Sequence, residues 1–336
     1  MFKRLKILKD VLLAVFILLI LVLILSRGKI YGRTELSYGI TYSPKQARSL
    51  GLDWQQTYLA ILDELGVKRL RLSAYWDEVE RNKDVYDWAD LDWQVDEAEK
   101  RGAKIILAIG GRLPRWPECH FPVWAKTISK TERHAEILKY EKEVVSRYKN
   151  QSVIAAWQVE NEPFLSSYFG ECPSLDKEFL DEELALVRSL DARPIVITDS
   201  GELSLWYGAA SRADIFGTTM YRDTYSRVLK RYIHYPIGPG FFIFKKNVIS
   251  LFAQPKNWLV IELQAEPWGP IAYQEMSREE RDKTMSLEKF RSTMEFARQA
   301  GFQEFYLWGA EWWYWEKTVN NRSEFWNEAK RLFNTK

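Results

Sequence analysis

The sequence predicts a (β/α)8 TIM barrel, an α/β fold, behind an N-terminal transmembrane segment. Three observations predict the barrel. From Ser37 onward, short β-rich runs alternate with helical stretches, eight β runs in all. The runs are apolar on both faces, as expected of parallel strands covered by helices. No G-x-G-x-x-G follows the first run, although an open dinucleotide-binding sheet needs one there. About 300 residues remain once the N-terminus is set aside, which suits one large core.

The elements follow in order. The first strand is read at Tyr38–Tyr42, and a helix at Asp53–Leu65 has Asp53 as its N-cap. A strand at Arg69–Ala74 leads to a helix around Leu91–Arg101, stopped by Gly102. The third strand, Lys104–Ile109, precedes a helix at Lys130–Tyr148. The fourth, Ile154–Val159, precedes a helix at Leu175–Ser189. The fifth and sixth are Ile195–Thr198 and Ile215–Met220. Thr224–Asn247, rich in Tyr, Phe and Lys, is a long insertion after the sixth. The seventh strand is Trp258–Ile261 with a helix at Leu287–Ala300. The eighth is Phe305–Trp308, and Glu324–Leu332 closes the chain.

Val11 to Leu25 is an unbroken apolar run behind Lys3, Arg4, Lys6 and Lys9. Its fifteen residues fall slightly short of the roughly 17–25 that span a bilayer. Ile7, Leu8 and Ser26 extend it when flanking lysines snorkel to the headgroups. The run ends Leu25-Ser26-Arg27-Gly28, without the small-residue cleavage site of a signal peptide. Residues 1–30 therefore read as a basic cytoplasmic tail and single-pass membrane anchor. Residues 31–336 read as a catalytic domain outside the cytoplasm, oriented by the positive-inside rule.

The net charge of +2 and the absence of a basic block argue against nucleic acid as a partner. The 15 Trp and 17 Tyr exceed ordinary packing needs and suit a cleft that stacks on sugar faces. Two cysteines, with no histidine pair at ligand spacing, do not make a metal site.

In such barrels chemistry sits at the C-terminal ends of the strands. The fourth strand ends Gln158-Val159-Glu160-Asn161-Glu162-Pro163, and the seventh runs Trp258-Leu259-Val260-Ile261-Glu262. With Arg71 on the second strand, Tyr221 after the sixth and Trp308 ending the eighth, this set resembles glycoside hydrolase clan A. That clan includes barrel cellulases, mannanases and β-galactosidases. Tyr86-Asp87-Trp88 and Pro114-Arg115-Trp116-Pro117 add to the resemblance, which covers most of Tyr38 to Trp315.

The resemblance implies Glu162 as acid/base and Glu262 as nucleophile. It implies Asn161 as a contact to the sugar 2-hydroxyl and Arg71 as the cation that keeps Glu262 ionised. Tyr221 would stand beside the nucleophile and Trp308 would floor the sugar site. Retaining cleavage uses two carboxyls about 5–5.5 Å apart, one protonated and one ionised, so neighbouring groups must push their pKa values apart. No metal or organic cofactor is required.

Glu160 reads as a supporting residue. Glu266, four residues past Glu262, becomes the nucleophile if the seventh strand is longer than read; otherwise it contacts substrate from the loop. Trp268 and Trp312 are the favoured sugar-stacking rings. Cys119 and Cys172 follow adjacent strands, which allows a disulfide. The expected activity is a retaining β-glycoside hydrolase acting on an oligo- or polysaccharide. Alternatives are a transglycosylase with the same carboxylates and a non-catalytic carbohydrate-binding barrel. A phosphate-binding barrel is disfavoured because Gly269 and Gly309 are isolated glycines.

Overall fold

A computed structural model describes residues 35–165, 170–173 and 176–334, together with Lys9, Leu13 and Gly28. Eight parallel strands close into a barrel in sequence order. They are β1 (Ser37–Thr41), β2 (Arg69–Ser73), β3 (Lys104–Ile109), β4 (Ile154–Val159), β5 (Ile195–Asp199), β6 (Ile215–Met220), β7 (Asn257–Gln264) and β8 (Glu304–Trp308). β8 returns to pair with β1 from Ser37↔Glu304 to Thr41↔Trp308.

Among the helices outside the barrel are α1 (Trp54–Asp63), α2 (Ala89–Lys100), α3 (Lys130–Tyr148), α4 (Lys177–Leu190), the single turn α5 (Tyr207–Ala210), α6 (Gly240–Ile249), α7 (Leu287–Arg298) and α8 (Glu324–Asn334). Their starts are chemically fixed. The Asp53 carboxylate accepts from the Gln55 and Gln56 amides, as the sequence predicts. Ser129 and Glu132 form a reciprocal capping box on α3.

The expected strand positions hold to within a residue or so except at β7, which begins one residue earlier and runs three residues further than read. β7 also carries a bulge. Val260 pairs with Thr218, yet Glu262 pairs with Thr219, and the same slip appears against β8. Side chains of successive strand residues normally alternate between faces. The extra residue resets that alternation, so Ile261 packs in the barrel interior with Leu259, Ile106, Ala156, Val196 and Tyr306, while Glu262 also reaches the site.

The insertion after β6 is ordered as an antiparallel hairpin, Asp223–Ser226 with Arg231–His234, followed by α6. After β8 the chain enters a helix, Ala310–Thr318, that the sequence reading did not anticipate. This corrects the reading of Trp312 as a sugar platform. The helix turns its ring into the core, where it is 1% exposed and packs on Phe325 at 4.4 Å and Tyr273 at 6.4 Å.

The disulfide forms as anticipated, joining Cys119 to Cys172 with Cα atoms 5.3 Å apart. Among the described residues no helix is long and apolar enough to cross a membrane. The apolar run Val11–Leu25 lies, apart from Leu13, outside those residues.

Candidate active site

At the C-terminal end of the barrel, polar side chains replace the apolar layer beneath. Arg71 is fully buried on β2 and organises them. Its Nη1 donates to Glu262 Oε1 at 2.7 Å, its Nε to Gln158 Oε1 at 2.7 Å and its Nη2 to Asn161 Oδ1 at 2.6 Å. A guanidinium buried without partners would be very costly; here β4, the turn that follows it and β7 supply acceptors. Tyr221 donates to the other oxygen of Glu262 at 2.9 Å. Both carboxylate oxygens are thus held by hydrogen-bond donors.

Glu162 sits in the left-handed region at φ 43, two residues after Glu160 at φ 57. Two such residues in one turn mark a strained strand end. The turn is fixed from both sides. The Glu162 amide donates to Thr198 Oγ1 at 2.8 Å. The Glu160 carboxylate accepts from the Gly111 and Arg112 amides at 2.6 and 2.7 Å. Gly110, at φ +116, lies so close that an added Cβ would stand 2.4 Å from Glu160 Oε1, so glycine is required there. Burial first, then the charges of Glu262 and Glu118, hold the Glu162 carboxyl well above the usual carboxylate range. The two glutamates thus sense each other and have opposite surroundings.

Glu160 has a further environment of its own. Its carboxyl is hydrogen-bonded to that of Glu183 and faces that of Glu141, both of them buried. Burial, reinforced by the neighbouring carboxyls, raises Glu183 and Glu141 well above their ordinary values.

The remaining expected residues divide. Asn161 is 1% exposed and donates from Nδ2 to Glu118 at 3.2 Å. Trp268 is half-buried and meets the Tyr221 ring edge-on at 5.0 Å, beside the pair. Trp308 donates from Nε1 to Glu266 Oε1 at 2.7 Å, and one face of its ring is covered by the Arg115 guanidinium at 4.0 Å. Glu266 is held by Arg115, which also binds Glu311 at 2.9 Å. The longer β7 is the condition under which the sequence reading moved the nucleophile to Glu266, yet Arg71 and Tyr221 contact Glu262 and not Glu266.

The sequence reading missed Glu118, Arg115, Gln158 and Thr198. Gln158 and Thr198 have a usable signal: each is a polar residue near the end of an apolar strand, on the parity that points inward. Glu118 and Arg115 lie in the loop after β3, both at positive φ, around a cis Trp116–Pro117 bond; no periodicity marks them. Burial pushes the Glu118 carboxyl up to about 7, against Arg112. Among the described residues no group of His, Cys, Asp and Glu is placed to hold a metal ion.

No family model matches the chain. It is 28% identical over 143 residues to an endo-1,4-beta-xylanase 3 of Hypocrea jecorina, a match covering 42% of this chain and 36% of that one. The chain thus aligns with little more than a third of the curated relative's length. Among solved structures it is similar to a β-galactosidase from Marinomonas ef1 (TM-score 0.55, 14% identity, 89% of this chain and 59% of that one). It is also similar to a GH5_18 protein from Streptomyces cattleya (0.57, 13%, 82% and 70%). An exo-beta-1,4-mannosidase from Opitutaceae bacterium strain TAV5 gives 0.55, 16%, 84% and 53%. The solved structures that this chain resembles are TIM-barrel glycosidases of clan A, and its fold is theirs.

Proposed function

We propose that the protein is a retaining β-glycoside hydrolase with Glu162 as acid/base and Glu262 as nucleophile. One observation carries the reading. Glu262 is gripped on both oxygens by Arg71 and Tyr221, while burial and the Glu262 charge hold the Glu162 carboxyl well above its usual range. Two carboxyls with opposed protonation are what double displacement needs.

Glu162 gives its proton to the leaving oxygen as the glycosidic bond breaks, and Glu262 forms an ester with the anomeric carbon. The ester removes the charge that raised Glu162. Glu162, already a carboxylate after giving up its proton, then stays ionised, takes a proton from water, and the hydroxide delivered to the anomeric carbon frees Glu262. Asn161, at the Arg71 network, would hold the sugar 2-hydroxyl. Trp268 would stack on substrate, an oligo- or polysaccharide, and Trp308 would floor the sugar site. The basic tail and the apolar run Val11–Leu25 would anchor the enzyme in a membrane with the barrel outside the cytoplasm.

The experiment is turnover of activated aryl β-glycosides by the wild type, Glu162→Gln and Glu262→Gln, with the anomer of the first product followed by NMR. Each variant should lose roughly 10³-fold or more in kcat, the β-anomer should appear first, and azide should partly restore Glu262→Ala. Near-native rates in either Gln variant, or an α-anomer first, would reject the assignment.

A further inference from the structure

α6 carries an apolar stripe that the barrel does not use. Phe244, Val248, Leu251 and Phe252 recur at the i, i+4, i+7, i+8 spacing of one helix face, and they are 38, 39, 75 and 70% exposed. Leu251 and Phe252 prolong the helical turns, donating to the Val248 and Ile249 carbonyls. The inward side of α6 is already filled by Phe242, against Trp206 and Phe296.

The stripe has a charge context. Residues 224–261 contain no Asp or Glu and six Lys or Arg. α6 runs back from the end of β6 toward the start of β7, so Leu251 and Phe252 lie on the face where the strands begin. Four exposed lysines share that face: Lys68, Lys104 and Lys256, just ahead of a strand or at its first residue, and Lys149, at the end of α3 where the chain turns toward β4. The chain also enters the barrel there, at Ser37.

We propose that this face docks on an anionic bilayer, with Leu251 and Phe252 in the headgroup–acyl boundary and the lysines at lipid phosphates. The inference rests on the anchoring reading and adds an orientation to it. Residues 26–36 join the apolar run to β1, a tether of at most about 40 Å. The barrel is about 28 Å tall by the length of the 19-residue α3. A second exposed pair, Val228 and Leu229 at the hairpin tip, is 84 and 54% exposed on the opposite face. For that pair to reach the same bilayer, the tether would have to climb the whole barrel. With the strand-start face down, it need not, and the candidate active site opens away from the lipid.

The test uses the full chain reconstituted into phosphatidylcholine vesicles with and without about 30% phosphatidylglycerol. Because Cys119 and Cys172 are bonded to each other, Phe252→Cys and Val228→Cys each offer one free thiol for a fluorescent label; circular dichroism checks the fold. A shallow lipid nitroxide should quench the label at 252 about two- to threefold more than at 228. High salt and the Lys68→Glu/Lys256→Glu pair should weaken that quenching.

Equal or stronger quenching at 228 would overturn the orientation. Self-quenching at 252 that grows with protein concentration, without an effect of the lipid nitroxide, would assign the stripe to a second copy and overturn the proposal. Protein that floats with the vesicles yet shows no quenching at 252 sinks the docking alone. Protein that fails to float sinks the anchoring reading as well.

Discussion

Glu262 and Glu266 stand four residues apart near the end of β7, and both are buried against an arginine. Their stoichiometry differs. Arg71 serves one carboxylate and spends its other donors on the neutral amides Gln158 and Asn161. Arg115 lies between two carboxylates, Glu266 and Glu311, beneath the Trp308 ring. A cation shared by two anions leaves an excess negative charge that burial penalises, and burial indeed raises the Glu311 carboxyl. A cation devoted to one anion, assisted by a tyrosine hydroxyl, leaves that anion uncommitted to other charges. The first arrangement suits a structural brace, and the second suits a nucleophile.

The sharpest way to break this comparison is to neutralise each glutamate in turn. Glu262→Gln should abolish turnover, by roughly 10³-fold or more, whereas Glu266→Gln should stay within tens-fold through small misplacement of Trp308. The reverse order in steady-state kinetics would swap the roles. Next, Arg115→Met leaves two buried carboxylates without their cation and should cost about 3–5 kcal/mol in urea unfolding. Adding Glu311→Gln should recover part of that loss; no recovery would mean that Arg115 does not brace the pair.

Trp312→Ala should cost a similar 3–5 kcal/mol as a core cavity while leaving KM unchanged, and Trp268→Ala should raise KM with little effect on stability. A KM effect at Trp312 would return that ring to the sugar site. The smallest effect concerns pH. Glu162 must be protonated to act, and Glu118 is one of the charges that raise it. Glu118→Gln should therefore move the alkaline limb of kcat/KM to lower pH; an unmoved limb would separate Glu118 from the pair.

The eight strands were legible because buried parallel strands are short, apolar and regularly spaced. Five of the candidate site residues, Arg71, Glu162, Tyr221, Glu262 and Trp308, came from matching the strand ends to the clan A pattern. Counting fails where direction depends on a local irregularity. The bulge at Ile261 is invisible in a strand apolar on both faces, and it is what brings Glu262 inward. Trp312 was misread because position after a strand says nothing of which way an unforeseen helix turns. Arg115 sits at positive φ beside a cis bond, where no periodic pattern exists to be read.

The Cys119–Cys172 bond ties the loop after β3 to the loop after β4, a separation of 53 residues. On chain-entropy grounds such a crosslink removes about 4 kcal/mol of freedom from the unfolded chain. It fastens the residue next to Glu118 and the segment that follows Glu162. Material produced in a thiol-rich cytosol would thus lack a clasp across the mouth of the cleft, and a poor catalytic yield from such a host would reflect maturation rather than faulty chemistry.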